Sequence, residues 1–364
     1  MFYGPIVLRK ITQIFMKIVL LHYRLIRRGG LETRLLNYIE QFHRRGHQVS
    51  VVCAKWDKTL PLPPEVTVHR LNLGLMLKPF RAWYLAHKAK KRMAQLDYDF
   101  ALSLGRTATQ DAVLMPGGHR GYLRALAKKW RFVGDWMQIH LDEAAYAHSQ
   151  MIFAASTMMA DELREAYRVP PEKIRLLYPP LNLQQYNTEH RPQRAALRQK
   201  LELAPEKTVF VFASSSHYRK GLDILLRVFA QLDPQRYELL IVGLPAVKSA
   251  LPHVRYLGFW ERLRELYTAA DFMILPARYE PFGQVVAESL QCGTPVLLSS
   301  GVGARDVVSP KEGLIIDSLD PQRWVEAIRE HPPSHFSVAP DFAQRQDLSI
   351  ERHVEQMLDY WQNR

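Results

Sequence analysis

The order of apolar and polar segments between residues 272 and 298 limits the possible folds of this chain more than any other feature. Residues 272–275 and 295–298 are short apolar runs of the kind that form buried parallel strands. Between them lie a loop, Glu280-Pro281-Phe282-Gly283, and a short helical stretch that ends near Ser289. Parallel strands need a crossover connection, so this order predicts a βαβ unit. The segment therefore predicts an α/β fold.

The same alternation runs through both halves of the chain. Strand-like runs occupy residues 17–23, 48–54, 66–71, 99–104, 151–155 and 174–178, and later 208–213, 238–242 and 313–316. Helical patterns occupy residues 31–45, 78–96 and 157–167. Because 364 residues suit two cores better than one, we predict two doubly wound parallel-sheet (Rossmann-like) domains.

Prolines and polar residues mark the predicted domain boundary. Pro179-Pro180 and the polar stretch to about Pro205 interrupt the alternation. We predict an N-terminal extension at residues 1–15, a first domain at 16–180, a linker at 181–205 and a second domain at 206–340. A C-terminal helix at 341–364 is expected to pack back on the body.

Positive charge is concentrated in the first half of the chain. Residues 1–178 contain 28 Lys and Arg against 14 Asp and Glu, whereas residues 179–364 contain 21 against 22. This asymmetry implies a negatively charged partner, either nucleic acid or an anionic membrane with phosphorylated lipid, and no nucleic-acid-binding module is recognisable. No apolar run reaches the ~18 residues that cross a bilayer. Cys53 and Cys292 are predicted to be free thiols in a reducing cytoplasm.

A glycine loop at residues 115–119 precedes a predicted helix with two different faces. Its apolar stripe consists of Leu123, Leu126, Ala127 and Trp130. Arg120, Arg124 and Lys128 follow each other at four-residue steps on another face, and together with the adjacent Lys129 they form what we call the basic cluster. Two interpretations stay open, a solvated basic face and a contact with an anion or a membrane.

Two second-domain segments predict an anion site. Arg219-Lys220 follows the strand at 208–213, and the Glu280 loop follows the strand at 272–275. Doubly wound sheets bind ligands at this edge, and a helix that begins at Gly283 directs unpaired N–H groups toward it. Two cations and a helix start suit a diphosphate. Glu280 and Glu288 are either hydroxyl-binding groups or solvated acids.

Two weaker motifs allow more than one interpretation. Gly29-Gly30, between a strand and a helix, is either a phosphate loop or a simple tight turn. Asp97-Tyr98-Asp99 matches a metal motif superficially. We interpret it as a pair of loop acids, because Asp99 opens a strand at the sheet edge away from the ligand.

The spacing from Glu280 to Glu288, closed by residues 292–296, resembles the signature of retaining glycosyltransferases of the GT-B fold, family 4. The resemblance covers the chain from Met16 to the last helix. It implies two Rossmann-like domains that face each other across a cleft. It also implies donor-phosphate contacts by Arg219 and Lys220.

The resemblance assigns roles to further residues. It implies donor-sugar contacts by Glu280 and the amides of Phe282, Gly283 and Gln284, a ribose contact by Glu288, a phosphate loop at Gly29-Gly30 and a polar contact near the donor sugar by His119. Residues 301–306 depart from the family pattern, so no role is assigned to them.

Within the family, the chain is most similar to the lipopolysaccharide core glucosyltransferases. This similarity implies a UDP-sugar donor, transfer of a hexose with retention and no required metal or other cofactor. It also implies a lipopolysaccharide core acceptor, attachment to the anionic inner face of the bacterial inner membrane from the cytoplasm, and no nucleic-acid partner.

Other functions stay open at this point. One is a GT-B nucleotide-sugar epimerase or hydrolase, and another is a glycosyltransferase that acts on a different glycolipid or polysaccharide. A third is a non-catalytic basic protein that binds membrane or RNA. The complete set of Arg219, Lys220, Glu280 and Glu288 argues against this last class.

Overall fold

The structure is a computed structural model that describes residues 15–27, 29–74, 80–115, 117–128 and 132–364. Residues 1–14 of the predicted extension and Lys129 of the basic cluster lie outside these ranges. No helix within them is both long and apolar enough to cross a membrane.

Seven strands form the first, parallel sheet. They are β1 Lys17–Leu21, β3 Gln48–Cys53, β5 Thr67–Arg70, β6 Phe100–Ser103, β7 Ala112–Met115, β8 Met151–Ala154 and β9 Ile174–Leu176. Their order is β5-β3-β1-β6-β7-β8-β9. Leu20 of β1 is paired with Val51 and Leu102 on its two sides, and all three are fully buried. A separate ribbon pairs β2 (Arg24–Leu25) with β4 (Lys55–Trp56).

The helices of this half are α1 Gly30–Arg44, α2 Arg81–Met93, α3 His119–Ala125, α4 Val133–His148 and α5 Thr157–Tyr167. Helix α5 has the bounds that its sequence predicts. The Ser156 hydroxyl accepts a hydrogen bond from the Met159 amide at 3.2 Å, which caps the helix start. Arg168 adopts a left-handed conformation directly after the last turn, which ends the helix.

Six parallel strands form the second sheet. They are β10 Thr208–Ala213, β11 Tyr237–Val242, β12 Val254–Gly258, β13 Phe272–Leu275, β14 Val296–Ser299 and β15 Gly313–Ile316. Their order is β12-β11-β10-β13-β14-β15. The remaining helices are α6 Arg194–Lys200, α7 His217–Lys220, α8 Leu222–Phe229, α9 Leu263–Ala269, α10 Gln284–Gln291, α11 Pro321–Glu330, α12 Phe342–Arg345 and α13 Ile350–Gln362.

The prediction of two doubly wound, Rossmann-like parallel sheets is confirmed. Strands β7 and β12 and helix α4 were not predicted. The predicted helix does not include Ala127, because α3 ends at Ala125, and Trp130 of the predicted stripe lies outside the described residues. Ala127 adopts a φ of 48°, which helices do not tolerate, and Leu123 is the one buried member of the stripe among those that the structure describes.

The chain divides into two compact units. The first holds the chain up to Val113 together with Ala144–Gln150, and the second holds Leu114–Glu143 and Met151–Arg364. Gly29 and Gly30 belong to the first unit. The second unit contains the other described candidate residues, namely His119, Arg120, Arg124, Lys128, Arg219, Lys220, Glu280 and Glu288. The predicted domain bounds stay predictions.

Candidate functional site

The second sheet has a switch point between β10 and β13. These strands are neighbours, but β10 also pairs with β11 and β13 with β14, so the chain leaves them in opposite directions across the sheet. Such a switch leaves a crevice outside the carboxyl ends of the two strands, where doubly wound folds bind ligands. Helix α7 follows β10 there, and the Glu280 loop follows β13.

Three charged side chains meet in this crevice. The Arg219 Nη1 atom lies 3.0 Å from Oε2 of Glu280, and the Lys220 Nζ atom lies 3.4 Å from the same oxygen. Each of the three side chains is less than one fifth exposed. Two cations therefore share one carboxylate. This group of three side chains has a net positive charge and is largely buried. An anion that enters the crevice meets a charge that is already partly desolvated.

Backbone carbonyl groups hold both cations in position. Arg219 donates to the Tyr279 carbonyl at 2.6 Å, and Lys220 donates to the carbonyl of Ala213, the last residue of β10, at 3.3 Å. Arg278 donates to the Tyr218 carbonyl at 2.7 Å, and both of its terminal nitrogens contact Asp223 at 2.7 Å. These contacts fix the short helix α7 and thereby the directions of the two cations.

Helix α10 begins beside this charge cluster with unused donors. Gly283 adopts a φ of 96°, which favours glycine. The amides of residues 282–285 have no acceptor among the residues that the structure describes. The Gln284 side-chain amide donates to the Pro180 carbonyl at 2.8 Å. Its buried amide oxygen has no hydrogen-bond partner among the described residues. This helix start retains donors and a positive dipole end for an anion.

Glu288 lies one turn into α10 and contacts tyrosines. The Tyr267 hydroxyl donates to its carboxylate at 3.2 Å, and Tyr186 also hydrogen-bonds to it. Burial raises the pKa of Glu288 to about 7, although these hydrogen bonds and the charge of Lys220 act in the opposite direction. The influence of Lys220 places Glu288 in the electrostatic neighbourhood of the cations, in agreement with one shared site.

His119 is the first residue of α3, and the two glycines directly before it, Gly117 and Gly118, pack against the Glu280 loop and its neighbour Tyr279; we call residues 117–119 the His119 loop. A Cβ atom on Gly117 would lie 2.7 Å from Pro281, and the Tyr279 hydroxyl lies 3.2 Å from the Gly118 carbonyl oxygen. The His119 imidazole contacts Asp135 through Nε2 at 2.8 Å. The hydrogen bond from His119 holds the pKa of Asp135 below its usual value. The structure thus brings the His119 loop to the predicted donor site, although the catalytic role of His119 stays a prediction.

Gly29 and Gly30 lie at the start of α1 in the first unit. Glu32 follows in the first turn and is 4% exposed, and its Oε1 atom lies 2.8 Å from Arg24 Nη2. A Cβ atom on Gly29 would overlap the Glu32 carboxylate, so the glycine leaves room for this acid. Within this unit the turn carries an ion pair between the buried Glu32 and the half-exposed Arg24. Its role as a phosphate loop stays a prediction.

The basic cluster is partly paired. Arg120 forms an ion pair with Glu143 and lies over the Tyr167 ring, and the Lys128 ammonium lies 5.1 Å from the centre of the Tyr122 ring. A cavity of about 840 Å³ borders the described members of the cluster. Its charged lining residues are Arg120, Arg124, Lys128, Arg168, Glu143 and Glu165. Both open interpretations, solvated face and anion contact, are compatible with this mixture of charges.

The residues that the structure describes contain no group of three His, Cys, Asp or Glu side chains that could hold a metal ion. Asp99 accepts a hydrogen bond from the Lys17 amide at 2.7 Å, and Asp97 forms an ion pair with the Lys17 side chain. Both contacts lie at the amino end of β1, away from the ligand edge, in agreement with the interpretation as loop acids. The expectation that no metal is required stays a prediction.

Sequence reasoning missed several residues of this region. Tyr279 directly precedes Glu280, so its position was a possible signal. Glu162 contacts Tyr279 from 117 residues earlier in the chain, and Asp135 and Asp142 reach His119 from a helix that was not predicted. Contacts between such distant residues have no local pattern in a single sequence.

Two families match the chain in adjacent segments. Residues 28–185 match Glycosyltransferase Family 4, and residues 193–331 match Glycosyl transferases group 1. A probable transglycosylase of Burkholderia thailandensis is 32% identical over 341 residues, which cover 91% of this chain and 93% of that relative.

Solved structures with the same fold include two proteins of low sequence identity, the glycosyltransferase WaaG and HepE. WaaG, described as involved in lipopolysaccharide biosynthesis, is 18% identical with a TM-score of 0.72, and the alignment covers 92% of this chain and 93% of WaaG. HepE of Anabaena, solved in complex with UDP-glucose, is 19% identical with a TM-score of 0.72 and coverages of 96% and 100%. The family matches and the 32% identical relative establish that the protein belongs to the GT-B glycosyltransferases of family 4 and group 1.

Proposed function

We propose that the protein is a retaining hexosyltransferase that moves glucose from UDP-glucose to a sugar of the lipopolysaccharide core. One observation carries this proposal. Arg219 and Lys220 converge on one oxygen of Glu280 beside the start of α10, whose first amides have no acceptor in the described chain. This combination supplies both the charge and the donors that a diphosphate needs. The similarity to WaaG and HepE supports the choice of acceptor and donor.

In the proposed reaction the residues act mainly on the leaving group. Cleavage of the bond between the anomeric carbon and the phosphate oxygen increases the negative charge on UDP. Arg219 and Lys220 stabilise that charge, and each such preorganised contact contributes about 10²–10³ to the rate. The acceptor oxygen bonds to the same face of the sugar, and its proton moves to the departing phosphate oxygen. No metal and no enzyme nucleophile take part.

The two carboxylates of the site bind hydroxyl groups in this proposal. When the diphosphate takes over Arg219 and Lys220, the Glu280 carboxylate becomes available to the hydroxyls of the donor sugar. Glu288 accepts from the ribose hydroxyls, where a charge-assisted hydrogen bond contributes roughly 1.5–3 kcal/mol. Gly29-Gly30 provides a phosphate loop from the first domain, and His119 contacts the donor sugar.

The proposed acceptor is a glycolipid, so we also propose that the enzyme acts at the cytoplasmic face of the bacterial inner membrane. Apolar side chains at and just before the start of α4 support this location. Phe132, Val133 and Trp136 are 77%, 71% and 65% exposed. Lys128 precedes them in the basic cluster, and adjoining basic and aromatic side chains are typical of segments that bind anionic membrane surfaces.

A donor screen with purified lipopolysaccharide core lipid as acceptor tests the activity. We expect UDP release and a glycosylated lipid with UDP-glucose, and α-linkage in the product if the configuration of the donor is retained. A changed nucleotide sugar would indicate an epimerase. Release of free glucose at the same rate with and without acceptor would indicate a hydrolase, and either result would contradict the proposal.

Sedimentation with lipid vesicles tests the membrane location. We expect stronger binding to vesicles with anionic lipid than to neutral vesicles, and several-fold weaker binding for Trp136→Ala, because an interfacial aromatic side chain and the surrounding positive charge act together. Phe259→Ala is the matched control, since Phe259 is 74% exposed but lies next to β12. Equal binding to both kinds of vesicle would exclude the electrostatic contribution.

A further inference from the structure

Tyr279 connects the Glu280 loop to the loop of His119 through its hydroxyl group. The side chain is 7% exposed. Its hydroxyl donates to Oε2 of Glu162 at 2.7 Å and lies 3.2 Å from the Gly118 carbonyl oxygen. The hydroxyl is therefore in contact with both the carboxylate of α5 and the residue that directly precedes His119.

Glu162 extends this connection into the first turn of α3. Its Oε1 atom accepts a hydrogen bond from the Gly121 amide at 2.9 Å. Cβ atoms on Gly118 or Gly121 would overlap the Glu162 carboxylate, so both glycines provide the space that it occupies. One carboxylate thus joins the Tyr279 hydroxyl to the helix that begins at His119.

The backbone of Tyr279 makes the contact on the other side. Its carbonyl oxygen accepts from Nη1 of Arg219 at 2.6 Å, and the same nitrogen lies 3.0 Å from Glu280. Tyr279 consequently has its main chain on the cation cluster and its hydroxyl on the His119 loop. A displacement of this residue changes the position of one group relative to the other.

Filling this space with a tyrosine hydroxyl and a carboxylate costs more free energy than filling it with apolar side chains. Burial raises the pKa of Glu162, and no ion pair of this carboxylate occurs among the described residues. An apolar pair of similar volume fills such a space at a lower desolvation cost. Hydrogen bonds with defined directions give a more exact geometry than apolar packing, and reactions are sensitive to displacements of about 1 Å.

We propose that Tyr279 and Glu162 are positioning residues that set the location of His119 relative to Arg219 and Glu280. The inference rests on the proposed function, because it assigns these residues to the transfer step. Neither residue touches the donor in this proposal. They act through the two loops that do.

Tyr279→Phe keeps the ring and removes the one hydroxyl, which makes it the direct test. We expect kcat for UDP-glucose transfer to fall about tenfold, with KM for the donor and the Kd of UDP within about twofold of wild type. Tyr237→Phe is the matched control, because Tyr237 is also 7% exposed and stands at the amino end of β11. Glu162→Gln keeps the side-chain shape and is expected to lower kcat less than Glu162→Ala.

Histidine NMR provides a readout that does not depend on activity. The His119 imidazole signal, assigned by its loss in His119→Asn, is expected to shift in Tyr279→Phe and to keep its position in Tyr237→Phe. An unchanged His119 signal in Tyr279→Phe overturns the inference, and so does an unchanged kcat. If wild type transfers no sugar, the proposed function fails, and the His119 signal alone decides whether Tyr279 positions this loop.

Discussion

The starts of α3 and α10 look alike in sequence but differ in the structure. Each follows a loop with glycine at the sheet edge. The first three amides of α3, at residues 119–121, donate to Asp142, Tyr167 and Glu162 at 2.9, 3.0 and 2.9 Å. The first two amides of α10, at residues 284 and 285, lack acceptors in the part of the chain that the structure describes, whereas the Val286 amide donates to the Gly283 carbonyl at 2.9 Å. Arg219 and Lys220 contact Glu280 in the loop just before this helix start.

This difference teaches that a glycine loop before a helix does not define an anion site. Two carboxylates and the Tyr167 hydroxyl accept from the first three amides of α3, and the negative charges of the carboxylates also complement the helix dipole, so none of these donors remains for a ligand. At α10 the first two amides stay available, and neighbouring cations increase their attraction for a negative charge. The two helix starts differ in whether side chains from distant parts of the chain accept hydrogen bonds from their first amides.

Loss of a cation beside α10 is expected to have the largest effect. Lys220→Ala should lower kcat with UDP-glucose by about 10²–10³, because it removes a preorganised charge from the leaving phosphate. Lys207→Ala is the matched control, since Lys207 is also mostly buried and pairs with Glu238 at 3.4 Å. Turnover of Lys220→Ala near that of wild type, measured by UDP release, would show that the site is assigned wrongly.

Alanine substitutions of one glycine at each helix start compare the two sites directly. Gly283→Ala should weaken UDP binding about tenfold in isothermal titration, because alanine is strained at a φ of 96° and moves the free amides. Gly121→Ala should displace Glu162 and lower the melting temperature, with UDP affinity unchanged. If both variants lose UDP affinity equally, the distinction between the two helix starts is wrong.

The raised pKa of Glu288 predicts a smaller, pH-dependent effect on stability. Its folded-state pKa of about 7 exceeds the ordinary 4.5, so the folded protein keeps a proton that the unfolded chain has released between these values. Wild type therefore loses stability as the pH rises through this range, whereas Glu288→Gln does not. We expect the difference in unfolding free energy between the two proteins to change by about 2 kcal/mol between pH 5.5 and 7.5 in urea titrations.

A variant of a second buried carboxylate, unfolded in urea at the same pH values, tests this explanation. Glu312→Gln removes another buried carboxylate, and although burial acts in the opposite direction, hydrogen bonds from Arg345 and Ser309 hold the pKa of Glu312 below its usual value. Both states of Glu312 are ionised above its ordinary pKa, so the stability of this variant relative to wild type should stay constant between pH 5.5 and 7.5. An unfolding free energy of Glu288→Gln that follows wild type at every pH would contradict the raised pKa.

The sequence by itself determined most of the strands and the edge of the sheet where the candidate site lies. β10, β13 and β15 have the bounds that were predicted, because a buried parallel strand is an uninterrupted apolar run. Arg219, Lys220 and Glu280 had to lie at the carboxyl edge, since each follows a strand and parallel strands end on the same side. The close approach of these three side chains follows from this local information.

The tertiary structure alone decided how the two helix starts are used. Glu162 and Asp142 approach α3 from segments 41 and 23 residues away in the chain, and Tyr267 approaches Glu288 from 21 residues away. Helical and strand patterns report the burial of one face of an element, but they contain no record of which distant side chain faces it. Packing therefore determined that side chains of α4 and α5 occupy the donors of α3, whereas the first two amides of α10 keep no acceptor among the described residues.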